Sequence, residues 1–403
     1  MFLLFQSLLV YGLIVIVMTY NGFEAYTRIG TCNSFVYPPQ NSTKLDKILC
    51  SPYILIPLLL LSLFTSLRYR VGVDSDTYKT IFYEILKTGN VSVTDGVEEG
   101  FIALMQICGL ISSKHYFAFF IIALIQFILI YIVSIRERYL LPFLGISMIL
   151  SLYYLNLVNG VRQNICVCAF AVICPLFLKR GIKYKSIFIV LTLCLMSIHK
   201  SALFILPLGI LAYFLQNKVF QRKTLLTIFL FATILFDQGT SLISDELFDY
   251  ANFAGYDDQR ITAYYELNSL DITFGFRALI LYLINVFIIY YFNDISKYFK
   301  SAYLNVMFNL FFIGEILHLL FYREFTINRM IMYFNIFTMF MISCLLFYLW
   351  IFRKKSSQYY YSFVFVFILL IMYFLYQMYD ATNLIGNEYV LFKFDTLGDK
   401  LIK

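Results

Sequence analysis

Apolar runs close to twenty residues long recur from one end of this 403-residue chain to the other, and that recurrence constrains the fold more than any motif does. Crossing a hydrocarbon core about 30 Å thick takes roughly 20 apolar residues, and in lipid a helix alone satisfies its own backbone N–H and C=O groups. Segments of that kind fall at about 2–20, 48–67, 115–135, 139–157, 161–178, 184–199, 201–216, 224–242, 274–292, 302–321, 329–351 and 359–378. They predict an all-α, polytopic integral membrane helical bundle of about 12 transmembrane helices, with residues 1–403 forming a single membrane domain. The segments at 184–199 and 201–216 are short, which predicts tilted partners or one re-entrant helix. Gly100–Ile111 is apolar for only about 12 residues and reads as an interfacial or re-entrant helix. Phe2–Tyr20 lacks a basic leader and a small-residue cleavage site, and so reads as a retained helix. The composition, 61% hydrophobic and 14% charged, excludes soluble enzymes, disordered chains and disulfide scaffolds.

Basic residues set the orientation. Arg136 and Arg138, then Lys179, Arg180, Lys183 and Lys185, then Lys218, Arg222 and Lys223, then Lys297 and Lys300, then Arg353, Lys354 and Lys355 fall in every second loop, against only Glu137 and Asp294. By the positive-inside rule these loops are cytoplasmic and account for the net charge of +7 without nucleic acid as a partner. The outer side then receives the 68–114 loop with its short helix, the corners Asn159–Gln163, His199–Ser201 and Tyr322–Asn328, the long 237–273 loop and the 379–403 tail. The side of the 21–47 loop stays open. Most of the eight cysteines sit in apolar runs; only Cys32 and Cys50 flank a polar segment, where a bridge would need an oxidising compartment.

Almost every unusual polar residue lies on that outer side. Arg68 and Arg70 run against the charge bias there, beside Gly72, Asp74, Asp76 and Tyr78, and a guanidinium offers a rigid donor fork matched to phosphate. Arg162 and Gln163 occupy the first turn of a helix opened by Asn159–Gly160, where free N–H groups favour an anion and a cation is misplaced unless an anion sits beside it. His199 ends an apolar run at the outer boundary, and imidazole suits general-base work, although a lone interfacial histidine more often only hydrogen-bonds. Glu315 and His318 lie three apart on one helical face at membrane depth, where ionisable residues are functional candidates. Arg260, in an aromatic-rich loop, and Arg277, Arg323, Arg329 and Tyr333 complete the set. With three histidines and no Cys/His spacing, no metal is expected. The sum is an outward cavity walled by arginines, suited to a lipid-linked phosphate or diphosphate, under a loop whose aromatic faces suit sugars.

In these residues the chain resembles the EpsG family of bacterial exopolysaccharide polymerases, Wzy-like membrane proteins. The pattern Arg-Tyr-x-x-Gly-x-Asp-x-x-x-Tyr is met by Arg68, Tyr69, Gly72, Asp74 and Tyr78, and Glu-x-Gly-aromatic by Glu98, Gly100 and Phe101. Asn-x-x-Arg-Gln is met by Asn159, Arg162 and Gln163, His-x-Ser-Ala-Leu by His199 and Ser201–Leu203, and Arg-x-x-x-Tyr by Arg329 and Tyr333. Two positions depart: residue 99 is Glu where proline is frequent, and residue 166 is Cys where alanine is. The resemblance implies a membrane glycosyltransferase, with a GT-C-like arrangement compatible, at the outer face of the bacterial cytoplasmic membrane. It implies undecaprenyl-diphosphate-linked repeat units and the lipid bilayer as partners, a chain-length regulator as a protein partner, and no cofactor. Arg68, Arg162 and Arg329 would hold the diphosphate, and His199, Asp74 or Glu98 would accept a proton. Two alternatives stay open: a transporter or flippase of lipid-linked oligosaccharides, and a membrane acyltransferase modifying surface glycans.

Overall fold

In the computed structural model, residues 2–28, 48–68, 74–89, 96–239, 275–322, 324–383 and 391–392 are described. Arg70, Arg260, Arg323 and Cys32 lie outside them. The chain is all α-helical apart from short 3-10 turns, and no strand occurs among the described residues. Seven helices are long and apolar enough to cross a membrane unaided: Leu3–Arg28, His115–Arg136, Val161–Leu178, Phe276–Phe299, Ala302–Leu320, Ile327–Phe352 and Ser357–Ala381. The other expected segments are shorter helices, including Pro52–Ser66, Ile182–Met196, Lys200–Leu215 and Arg222–Ile234. Glu99–Ile111 is a helix of 13 residues, too short to span as a straight rod.

The 139–157 segment, expected as one helix, is broken. A 3-10 turn over Arg138–Phe143 carries Pro142, which has no N–H to give; Leu144–Leu150 follows, and Leu152 at φ 60° starts a new turn at Tyr153–Val158. Such a break releases carbonyls that lipid cannot satisfy, so side chains must. Gln126 donates to Leu157 and Val161, Asn164 to Asn156 and Asn159, and Arg68 to Val158 at 3.0 Å. Gly160, at φ 50°, turns the chain into the Val161–Leu178 helix; at such a φ the absence of Cβ removes a steric cost.

The helices cross on small residues. A Cβ on Gly22 would meet the Leu141 carbonyl oxygen at 2.1 Å, so the first helix lies directly against the 3-10 turn. That contact also fixes direction. With Gly22 against Leu141 and Met18 against Gly145, the first helix runs antiparallel to this segment and its Arg28 end points the way of Arg138; Arg28 sits over the Tyr53 ring at 4.5 Å. Both flanks of the 29–47 segment are therefore at the end of the bundle that carries the basic loops. At the opposite end, Phe392 N–H donates to Ser7 at 2.7 Å and Thr65 bonds Tyr154 at 2.9 Å.

Candidate active site

Four helix ends and one helix face meet at the end of the bundle opposite the basic loops. They are the starts of Ser75–Thr88, Glu99–Ile111 and Val161–Leu178, the turn between Met196 and Lys200, and the first turns of Phe325–Phe352. Glu98 stands at their centre, immediately before the first turn of its helix. Its Oε2 accepts from Arg162 Nη1 at 2.6 Å, and its Oε1 accepts from the Lys200 backbone N–H at 3.0 Å and lies 2.8 Å from His199 Nδ1. The Glu98 side chain is 8% exposed and that of Arg162 20%. Burial alone would raise the Glu98 carboxyl, but the bonds from His199 and Lys200, with the His199 and Arg162 charges, bring it from 4.5 down to about 2.

The anion that Arg162 needs at its helix start is thus Glu98, from the chain itself. Both oxygens of the Glu98 carboxylate are engaged by these contacts. His199 Nδ1 faces that carboxylate, so in the neutral ring the proton sits on Nδ1 and Nε2 carries the lone pair. Gly100 makes the approach of these segments feasible: its N–H donates to the Ser197 carbonyl at 2.8 Å, and a Cβ there would lie 2.7 Å from that oxygen.

Asp74 plays a local part. Its Oδ2 accepts from Gly160 N–H at 3.1 Å, and its own N–H donates to Asn159 Oδ1 at 3.3 Å, so it clamps the corner leading to Arg162. Tyr78, buried on the next helix, is hydrogen-bonded to Arg162. Gln163 donates to the Arg329 carbonyl at 2.7 Å, and Ser201 bonds the Tyr333 hydroxyl at 2.9 Å, tying the later motif residues to the same end.

Arg68 adjoins the 158–162 corner. It is 2% exposed; one Nη2–H reaches Val158, while Nε and Nη1 have no hydrogen-bond partner among the described residues. Its neighbours are the Phe119 ring at 5.3 Å and the Tyr154, Tyr11 and Tyr78 hydroxyls, with no carboxylate paired to it among the described residues. Burial pulls the guanidinium from 12.5 down to about 10.

Glu315 and His318 do not join the Glu98 cluster; they lie on Ala302–Leu320 with their own partners. Arg277 is exposed at the start of its helix, 6.0 Å from the Tyr373 ring. No group of three or more His, Cys, Asp or Glu residues that could hold a metal occurs among the described residues. The residues missing from the sequence reading are Gln126 and Asn164. Gln126 had a signal, being a lone amide inside an apolar 22-residue helix.

The family model for the EpsG family matches residues 52–392, which take in every element of this site. The chain belongs to the EpsG family. Membership suggests a polysaccharide polymerase-type role and a lipid-linked glycan as substrate. Comparison with curated proteins and with solved structures gives no match.

Proposed function

We propose that this EpsG-family chain is a polysaccharide polymerase that transfers a growing glycan from undecaprenyl diphosphate to the non-reducing end of a lipid-linked repeat unit, at the outer face of the cytoplasmic membrane. The observation that carries the reading is the Glu98 carboxylate held between Arg162 and His199, which joins three separate motifs into one proton-handling unit.

In the proposed step the acceptor hydroxyl attacks the anomeric carbon of the donor glycan. Its proton passes to His199 Nε2, the new glycosidic C–O bond forms, and the bond to the diphosphate breaks with its electron pair on the leaving oxygen. Glu98 holds the imidazole in the accepting tautomer and stabilises the imidazolium that results, while Arg162 keeps Glu98 ionised. The leaving charge falls to Arg68, whose Nε and Nη1, without a partner among the described residues, suit a phosphate and whose low-dielectric surroundings strengthen the attraction, with Arg329 at the same end.

Deletion separates the three readings. A polymerase deletion leaves single lipid-linked repeat units on the outer face; a flippase deletion traps them inside; an acyltransferase deletion leaves unmodified polymer of full length. The clustering of the motif residues at one end of the bundle favours the polymerase over alternating access, which needs polar groups reachable from both sides.

A further inference from the structure

Away from Glu98, a second polar cluster ties three spanning helices together. Glu315 on Ala302–Leu320 accepts through Oε2 from Asn285 Nδ2 at 2.7 Å and through Oε1 from the Thr338 hydroxyl at 2.9 Å. Each carboxylate oxygen can accept twice, so accepting capacity is left over on both. One turn on, the His318 ring is hydrogen-bonded to Asn328, while its Nδ1 is buried with no partner among the described residues. The bond to Asn328 therefore uses Nε2. Asn328 gives one amide N–H to the Tyr322 carbonyl at 2.9 Å and keeps its second N–H and its oxygen for the ring, so His318 Nδ1 is left as a polar atom that can bond a hydroxyl as acceptor or as donor.

Glu315 and His318, three residues apart, project from one face of their helix and both are partly exposed. Glu315 forms no ion pair among the described residues. Arg277 is close enough for its charge to act on the His318 ring, and a metal is disfavoured at Glu315 because N–H and O–H donors already point at the carboxylate. Hydroxyl donors suit it. The Tyr322 ring lies 5.1 Å from the His318 ring, and Phe236 lies 5.1 Å from Tyr322, giving the apolar faces that sugar C–H surfaces cover. Asn328 is also next to Arg329, whose carbonyl holds Gln163, so this cluster is joined through named contacts to the helix that carries Arg162.

We infer that Glu315 and His318 form a glycan subsite that binds the hydroxyls of a neutral sugar, separate from the group that handles the diphosphate. The inference rests on the polymerase reading for its place in the reaction, but its test does not. Full-length protein in nanodiscs is titrated with repeat-unit oligosaccharide released by partial acid hydrolysis of the producing strain's own surface polysaccharide, and separately with undecaprenyl diphosphate. Glu315→Gln and His318→Phe are expected to weaken oligosaccharide binding at least tenfold and to leave undecaprenyl diphosphate binding unchanged, with Arg68→Met doing the reverse. Wild-type oligosaccharide affinity in both variants, equal loss of both ligands, or no saturable oligosaccharide binding by the wild type overturns the subsite. A failure of the polymerase reading shows elsewhere, as polymer of normal length from a His199 variant, with oligosaccharide binding still present.

Discussion

Glu98 Oε1 lies 2.8 Å from His199 Nδ1 across 101 residues of sequence, and the opposite oxygen of the same carboxylate holds Arg162. In the proposed mechanism His199 is the proton acceptor and Glu98 its orienting partner. Glu98→Gln removes the charge that fixes the tautomer and frees Arg162. Turnover by purified protein on lipid-linked repeat units should fall about 10- to 100-fold with little change in KM, a range like that seen for partners that orient a reactive group. An unchanged kcat would remove Glu98 from the mechanism.

The depressed carboxyl predicts how stability follows acidity. Glu98 falls from 4.5 to about 2 on folding, so its contribution is complete above about 4.5 and is lost as the pH drops toward 2. The Tm gap between wild type and Glu98→Gln should therefore narrow as the pH falls from 4.5 toward 2. A gap that stays constant through that range contradicts this assignment.

Arg68 separates function from stability. A buried charge without a paired anion is a cost to the fold, and replacing buried ionic groups by apolar side chains of similar size is often neutral or stabilising by about 1–4 kcal/mol. Arg68→Met removes the buried charge but frees the Val158 carbonyl, so it should change Tm little while abolishing long polymer and weakening undecaprenyl diphosphate binding. A sharp loss of Tm would assign Arg68 to holding the Val158 carbonyl and nothing more.

Gly100 tests the geometry of the turn. A methyl group there meets the Ser197 backbone, whose oxygen lies 2.7 Å from the added carbon, so Gly100→Ala should push the 197–199 turn away from Glu98. Overpacking of this kind costs about 1–3 kcal/mol. The variant should insert normally, lose stability by that amount in a thermal shift assay, and make shortened or no polymer; wild-type activity would show that the contact is not needed.

The sequence displayed the bundle because lipid admits only long apolar helices, and His115–Arg136 and Val161–Leu178 fall within a residue of the runs that announce them. The break after Leu150 left no such mark. Leu152 is neither glycine nor proline, and its positive φ is sustained by a buried setting that no local pattern encodes. Arg162 was legible as a cation in the wrong place; the anion that answers it, Glu98, is 64 residues away and could not be paired from spacing. Asp74 was legible as a carboxylate near the site, but its work in clamping Gly160 depends on a corner visible only once the chain is folded.

In the proposed mechanism His199 takes the acceptor proton in glycan polymerisation. The direct measurement is glycan chain length and lipid-linked repeat units in cells whose only copy is His199→Ala, with membrane insertion verified by immunoblot. Single repeat units should accumulate on the outer face and polymer formation should fall by about 10²- to 10⁴-fold, the range for loss of a general base. Surface polymer of wild-type length and amount from that strain would contradict it.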